Sequence, residues 1–64
     1  MDIKTMRLAA GMSQEALAQA SSVSRISIAR YESGQREPTL TIAAKLADAL
    51  DCSVDDLVER KEES

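Results

Sequence analysis

The chain has 64 residues, enough for one small domain that buries only about 60% of its unfolded surface. Its net charge is −3, and the hydrophobic fraction of 44% includes a single aromatic residue, Tyr31, so the expected core is aliphatic. One cysteine, Cys52, excludes a disulfide framework and is expected as a small buried side chain. With no histidine and no nucleophile–base pair, we expect no enzyme, no metal and no cofactor.

No apolar run is long enough for a secretory signal or a membrane span, so we expect a cytoplasmic protein without a membrane partner. The charges are unevenly distributed along the chain. Residues 1–36 have five basic and three acidic side chains, a net charge of +2, whereas residues 37–64 have a net charge of −5. This polarity would orient the domain on a phosphate surface, although an acidic C-terminal half could equally serve solubility.

Helical periodicity and cap residues predict an all-α fold with no strand. The five predicted helices cover about residues 2–10, 14–21, 25–33, 40–50 and 54–60. Ile3, Met6 and Ala10 share one face of the first helix. The residue types expected at helix boundaries are the N-caps Ser13, Ser24 and Thr39, the glycines Gly11 and Gly34, and a capping box of Ser53 with Asp56. The predicted core stripe of the fourth helix consists of Ala43, Leu46, Ala47 and Leu50.

The second and third predicted helices are joined by a short turn and pack against each other. Leu17 and the small Ala18 face inward from the second helix, and Ile28 and Tyr31 face inward from the third. The outward positions of the third helix are Arg25, Ile26, Ser27 and Arg30. This layout is a helix-turn-helix whose second helix would present two arginines to a DNA groove.

The chain resembles the Cro/phage-repressor type of helix-turn-helix domain, the XRE family, over about residues 3–58. The resemblance rests on Arg7, MSQEALA at 12–18, VSRISIARYESG at 23–34, REP at 36–38 and LADALDCSVDDL at 46–57. It implies a five-helix phage-repressor-like fold in one domain with a core of about residues 2–60. Three positions depart from the family pattern: Ser22 and Asp51 replace glycines, and Ser21 stands where an apolar residue is common.

Given this resemblance, the outward residues of the third helix are expected to contact bases. Arginine donates two hydrogen bonds to guanine O6 and N7, so Arg25 is a candidate for base recognition. Arg30 could contact a base or a phosphate. Ile26 could meet a thymine methyl group or be partly buried against a neighbouring helix. The Ser27 hydroxyl suits either a base or a phosphate.

The residues expected at the DNA backbone are Gln14, Ser24, Gln35 and Arg36. In similar domains the glutamine matching Gln14 contacts the DNA backbone and braces the recognition helix. Ser24 has capping as its alternative role. The family also implies a partly buried ion pair between Arg7 and Glu32.

The fifth helix is the expected dimer contact. Leu57 and Val58 are adjacent and therefore about 100° apart around a helix. We expect Leu57 in the core and Val58 at a two-fold contact formed by residues 51–60. The alternative is a monomer with Val58 simply exposed.

The resemblance implies a sequence-specific DNA-binding transcriptional regulator, a small dimeric repressor or activator that binds a palindromic operator. Its expected partners are double-stranded DNA and a second copy of itself, with no small-molecule ligand. The alternative function is an antitoxin or protein-interaction module of the same fold, with the acidic C-terminal half as its partner surface.

Overall fold

The structure, a computed structural model, describes residues 2–57. Within this range the chain is all-helical, which confirms the predicted fold class. The helices are α1 (Ile3–Ala9), α2 (Gln14–Ser21), α3 (Arg25–Ser33), α4 (Leu40–Ala49) and α5 (Val54–Leu57). The bounds of α2 and α3 agree with those predicted, and the remainder of the predicted fifth helix, residues 58–60, lies outside the described residues.

Helices α1 and α4 are shorter than predicted. Asp2 is the N-cap of α1 rather than a helical residue, and Ala10 is its exposed C-cap rather than part of the buried face. Helix α4 ends at Ala49, and Leu50 caps it with φ −92° and ψ 0°. The backbone N–H of each C-cap still donates to a carbonyl oxygen of its own helix. The observed bounds therefore differ from the predicted ones only in residues at the ends of the helices, where the last turn is least regular.

Side-chain caps hold the N-termini of the other helices. The hydroxyls of Ser13, Ser24 and Thr39 each accept a hydrogen bond from the N–H three residues on, at 3.0, 3.1 and 3.2 Å. Ser53 and Asp56 form the predicted capping box: the Asp56 carboxylate accepts from the Ser53 N–H at 3.2 Å, and the Ser53 hydroxyl accepts from the Asp56 N–H at 3.3 Å. Each such cap contributes about 1 kcal/mol.

Among the described residues, two that are not glycine have left-handed backbone conformations. Ser22 ends α2 with φ 62°, and Asp51 follows α4 with φ 58°. These are the positions where the resembled family has glycine, and a Cβ there costs about 1–2 kcal/mol. Aspartate tolerates the conformation better than most residues, so the larger strain is at Ser22.

The core takes one fully buried side chain from each helix. Ile3, Leu17, Ile28, Leu46 and Leu57 all have 0% exposure. The predicted stripe of α4 is buried as well. Because every one of these helices contributes a side chain to the same cluster, displacing any of them would leave a cavity in the core.

Four side chains predicted to face inward are only half-buried. They pack against the edge of the core cluster and are Met6, Ala18, Tyr31 and Cys52. Cys52 is therefore a peripheral residue rather than the fully buried one that the sequence suggests. Burial, followed by the nearby charges of Asp56 and Asp51, raises the pKa of its thiol and keeps it in the protonated form.

Ser21 is a buried polar residue at the end of α2, with 5% exposure. Its hydroxyl donates to the carbonyl oxygen of Leu17 at 2.7 Å and lies 3.3 Å from the Val23 N–H, from which it accepts. Both hydrogen-bonding functions are therefore used inside the turn between α2 and α3. A serine can occupy this buried position, where the family commonly has an apolar residue, because its hydroxyl is satisfied by two hydrogen bonds in the turn.

The packing order leaves one face of α3 open to solvent. Helix α2 packs against α3 and α4, α4 packs against α5, and α1 packs against α3. The Asp2 N–H donates to the carbonyl oxygen of Leu57 at 2.7 Å, which ties the start of α1 to the end of α5. Helix α3 therefore has a scaffold behind it, with nothing from residues 2–57 covering its outer face.

Candidate nucleic-acid interface

The outer face of α3 carries the side chains that the sequence places there. Arg25, Ile26 and Arg30 are exposed, whereas Ser27 is half-buried. The side chains that line one open concavity on this face are Arg25, Ile26, Ala29, Arg30, Ser33 and Gln35. Arg25 also borders a second concavity, which runs along α2 past Gln19 and Ser22. Arg25 therefore lies at the surface between α2 and α3, the two helices of the helix-turn-helix.

Neither Arg25 nor Arg30 has a carboxylate within 4.0 Å among residues 2–57. The single ion pair in that range is formed elsewhere, by Arg7 and Glu32. Each guanidinium presents five N–H donors in a planar fork and has no acceptor of its own. Two such forks on one helix face suit the acceptor-rich edge of a guanine or the oxygens of a phosphate.

Ser24 and Ser27 form a local hydroxyl pair at the start of α3. The Ser24 hydroxyl accepts from the Ser27 N–H at 3.1 Å and donates to the Ser27 hydroxyl oxygen at 3.0 Å. The capping role considered for Ser24 is therefore present. In this arrangement the Ser24 proton is used and the Ser27 hydroxyl proton is the one left to donate outward.

Gln35 and Arg36 follow α3 in an exposed loop. Gly34 has φ 83°, which turns the chain back over the end of the helix. The backbone N–H groups of Gln35 and Arg36 then donate to the Arg30 carbonyl oxygen at 2.9 and 3.3 Å. The backbone of both residues is thereby anchored at the C-terminal end of α3, and the Gln35 side chain lines the outward concavity.

Behind α3, a charged network joins three helices. Arg7 of α1 donates to the Glu32 carboxylate of α3 with two nitrogens, from Nε to Oε2 at 2.7 Å and from Nη2 to Oε1 at 3.1 Å. Its Nη1 donates to the Met12 carbonyl oxygen at 2.8 Å. Gln14, at the start of α2, donates from Nε2 to Glu32 Oε1 at 3.1 Å. The ion pair implied by the family resemblance is therefore present, and Glu32 is the bracing partner of Gln14.

Burial sharpens the electrostatics of this network. The side chains of Arg7 and Glu32 are only 9% and 6% exposed. Burial by itself raises the pKa of the Glu32 carboxyl, but hydrogen bonds from Arg7 and Gln14 outweigh it, and the pKa lies below its ordinary 4.5. The bond to Glu32 likewise raises the pKa of Arg7. Both groups are charged at neutral pH, so the brace is ionic throughout the physiological range.

Some functional side chains could not be located from sequence. The Arg7 bond to the Met12 carbonyl oxygen and the paired hydroxyls of Ser24 and Ser27 have no signature in spacing or composition. Val58, the expected dimer contact, lies outside the described residues.

Residues 2–57 contain no cluster of histidine, cysteine or acidic side chains that could hold a metal ion. Within the same residues, no helix is sufficiently long and apolar to cross a bilayer.

This combination of a helix-turn-helix, a braced second helix and outward arginines defines the class of protein. The helix-turn-helix family model matches residues 3–57, and the chain belongs to this family of DNA-binding transcriptional regulators, of the XRE type. Among solved structures, the chain is similar to the restriction-modification controller protein C.AhdI from Aeromonas hydrophila. The two are 39% identical, the match covers 88% of this chain and 85% of that one, and the TM-score is 0.84. No curated protein matches the chain.

Proposed function

We propose that this regulator recognises a specific DNA sequence by placing α3 in the major groove. The observation that carries the proposal is the pair of exposed arginines, Arg25 and Arg30, on a helix braced from behind, with no carboxylate partner for either among residues 2–57. Two guanidinium groups on one exposed face suit a partner that supplies the hydrogen-bond acceptors. The proposed base contacts are Arg25, Ile26, Ser27 and Arg30.

Phosphate contacts are proposed from Gln14 at the start of α2 and from three residues at the two ends of α3, namely Ser24, Gln35 and Arg36. Arg36 is exposed, and Gln14 has one amide hydrogen beyond the bond that it makes to Glu32. Ser24 could donate to a phosphate only by turning its proton away from Ser27. In that arrangement Ser27 can donate to Ser24 instead, so one hydroxyl proton of the pair is available to DNA either way.

The proposed active form is a homodimer on a palindromic operator, acting as a repressor or activator. One domain of this size presents few contacting side chains, and a second copy doubles them and makes the site symmetric. The half-sites would then lie about 34 Å apart, one turn of the double helix. The proposed two-fold contact is at residues 51–60, with Val58 near the axis.

Similarity to a restriction-modification controller favours a role of that kind, the transcriptional control of a restriction-modification gene pair. We propose that the protein acts in the cytoplasm and catalyses no reaction. In the source genome, the operator should lie upstream of such a gene pair or of the regulator's own gene. Its absence from both places would contradict this role while leaving DNA recognition intact.

Selection of bound duplexes from a random DNA pool, with the size of each complex measured, tests the DNA-binding proposal. The expected result is one enriched inverted repeat that binds two copies of the protein. Enrichment of an asymmetric site that binds one copy would contradict the proposed homodimer. With no enriched sequence at all, the proposed recognition fails and the protein-interaction module becomes the better account.

A further inference from the structure

Ile26 is an apolar residue that the fold does not use. It lies on the outward face of α3 with 58% of its surface exposed, while Ile28, two positions later, is fully buried in the core. A β-branched side chain also has a lower helix propensity than most polar alternatives at an exposed position. Neither helix formation nor core packing accounts for an isoleucine here.

The surroundings of Ile26 restrict what it could contact. It lines the same open concavity as Arg25, Ala29 and Arg30, so a small apolar strip lies between two guanidinium groups. The arginines can recognise only hydrogen-bond acceptors, and Ile26 can make no hydrogen bond. In the major groove the apolar feature of a base edge is the 5-methyl group of thymine, which 5-methylcytosine also carries.

We propose that Ile26 is a specificity-determining residue that packs against the 5-methyl group of one pyrimidine in each half-site. The inference rests on the proposed function, because it requires α3 to lie in the major groove. Its chemistry differs from that of the arginines, since removing one methyl group leaves every hydrogen bond of the base pair unchanged. Recognition by Ile26 can therefore be separated from recognition by Arg25 and Arg30.

The test uses the duplex selected from the random pool and alters one base at a time. Each thymine is replaced by uracil and each cytosine by 5-methylcytosine, and affinity is measured for wild type, Ile26→Ala and Leu8→Ala. Leu8 is the matched control because it is an equally exposed aliphatic residue, 58%, on a different helix. All three proteins are compared by circular dichroism, so that a folding defect is recognised independently.

Wild type and Leu8→Ala should respond to the methyl group at one position per half-site by about threefold to fivefold, the value of one buried methyl group. Ile26→Ala should bind the methylated and unmethylated forms equally. A response at thymine identifies thymine as the natural target, and a response at cytosine identifies 5-methylcytosine. No response in wild type, or an unchanged response in Ile26→Ala, overturns the inference. Failure of the pool to yield any site would instead overturn the proposed function.

Discussion

Arg25 and Arg36 are both exposed arginines, but their loss should have different effects on DNA binding. Arg25→Ala removes a proposed two-bond contact to guanine, so it should lower affinity for the selected operator by about 1–3 kcal/mol and relax the preference at one base per half-site. Arg36→Ala removes a proposed phosphate contact and should weaken all sequences evenly. Competition binding against a set of single-base operator variants measures both effects. An unchanged base preference in Arg25→Ala would show that α3 is not oriented as proposed.

Ser22 has a left-handed backbone conformation, which is strained for a residue with a Cβ, and its replacement by glycine should relieve that strain. At φ 62°, Ser22→Gly removes the Cβ strain of about 1–2 kcal/mol from the folded state. Glycine also raises the conformational entropy of the unfolded state, which lowers stability by about half of that amount. The domain should therefore be stabilised by several tenths of a kcal/mol or more. The melting temperature should rise by a few degrees, as expected for a domain of this size. The control is Ala20→Gly, two positions earlier within α2, where glycine should destabilise by about 1 kcal/mol. A lower melting temperature for Ser22→Gly would contradict the turn geometry.

At the scale of helices, the Arg7–Glu32 network is what fixes α3 relative to α1 and α2. Arg7→Ala or Glu32→Gln leaves a buried group without its charged partner, which costs about 3–5 kcal/mol in fully buried pairs. Once one partner is gone, losing the other should cost less, so the double variant should be less damaging than the sum of the two. Denaturant unfolding of the four proteins in a double-mutant cycle measures this coupling. Additive losses would show that the two side chains do not stabilise each other.

Acid provides a second measurement of the same network. Because the folded-state pKa of Glu32 lies below 4.5, its contribution to stability is complete above that value and is lost as the pH falls through the lower, folded-state pKa. Glu32→Gln cannot titrate, so its stability should fall less steeply than that of wild type over this acid range. Parallel curves for the two proteins would mean that other carboxyls are responsible for the acid sensitivity.

The helices themselves were largely predictable because their ends are marked in the sequence. Ser13 and Ser24 cap α2 and α3, and Gly34 ends α3 in the left-handed conformation, so both bounds follow from local chemistry. Both ends of α1 and the C-terminal end of α4 have weaker local signals, and each lies one residue inside the predicted bound. Ser21 shows the limit of hydropathy: it is polar by composition, yet its hydroxyl bonds make it a buried residue.

The candidate site was predictable only as a list of exposed positions on α3. The outward positions of Arg25, Ile26 and Arg30 follow from helical periodicity once Ile28 is assigned to the core. The links that orient the helix do not follow from periodicity, since Glu32 meets its partners across 25 and 18 residues of sequence. Such contacts depend on how α1 and α2 pack, and here the family resemblance, rather than residue spacing, supplied the expected pair.

At the scale of the whole molecule, assembly is proposed to depend on Val58. Val58→Asp would add a charge to the proposed contact, whose neighbours in sequence at 55, 56 and 59 are already acidic, and should favour the monomer. Sedimentation of wild type and variant, each with and without the palindromic duplex, measures the copies bound. Two copies per duplex in wild type falling to one in the variant is the expected outcome. Equal stoichiometry for both proteins would place the dimer contact elsewhere.

The bond between Asp2 and Leu57 has a consequence for how this regulator is made. Ile3 and Leu57 occupy one cluster, so the first and last described helices complete the core together. A chain that stops before α5 contains α2 and α3 but lacks Leu57, the side chain that closes the cluster. Such a chain has both arginines of α3 but no closed core behind them. Occupancy of the operator should therefore follow the number of chains completed through α5, and unfinished chains should not compete for it.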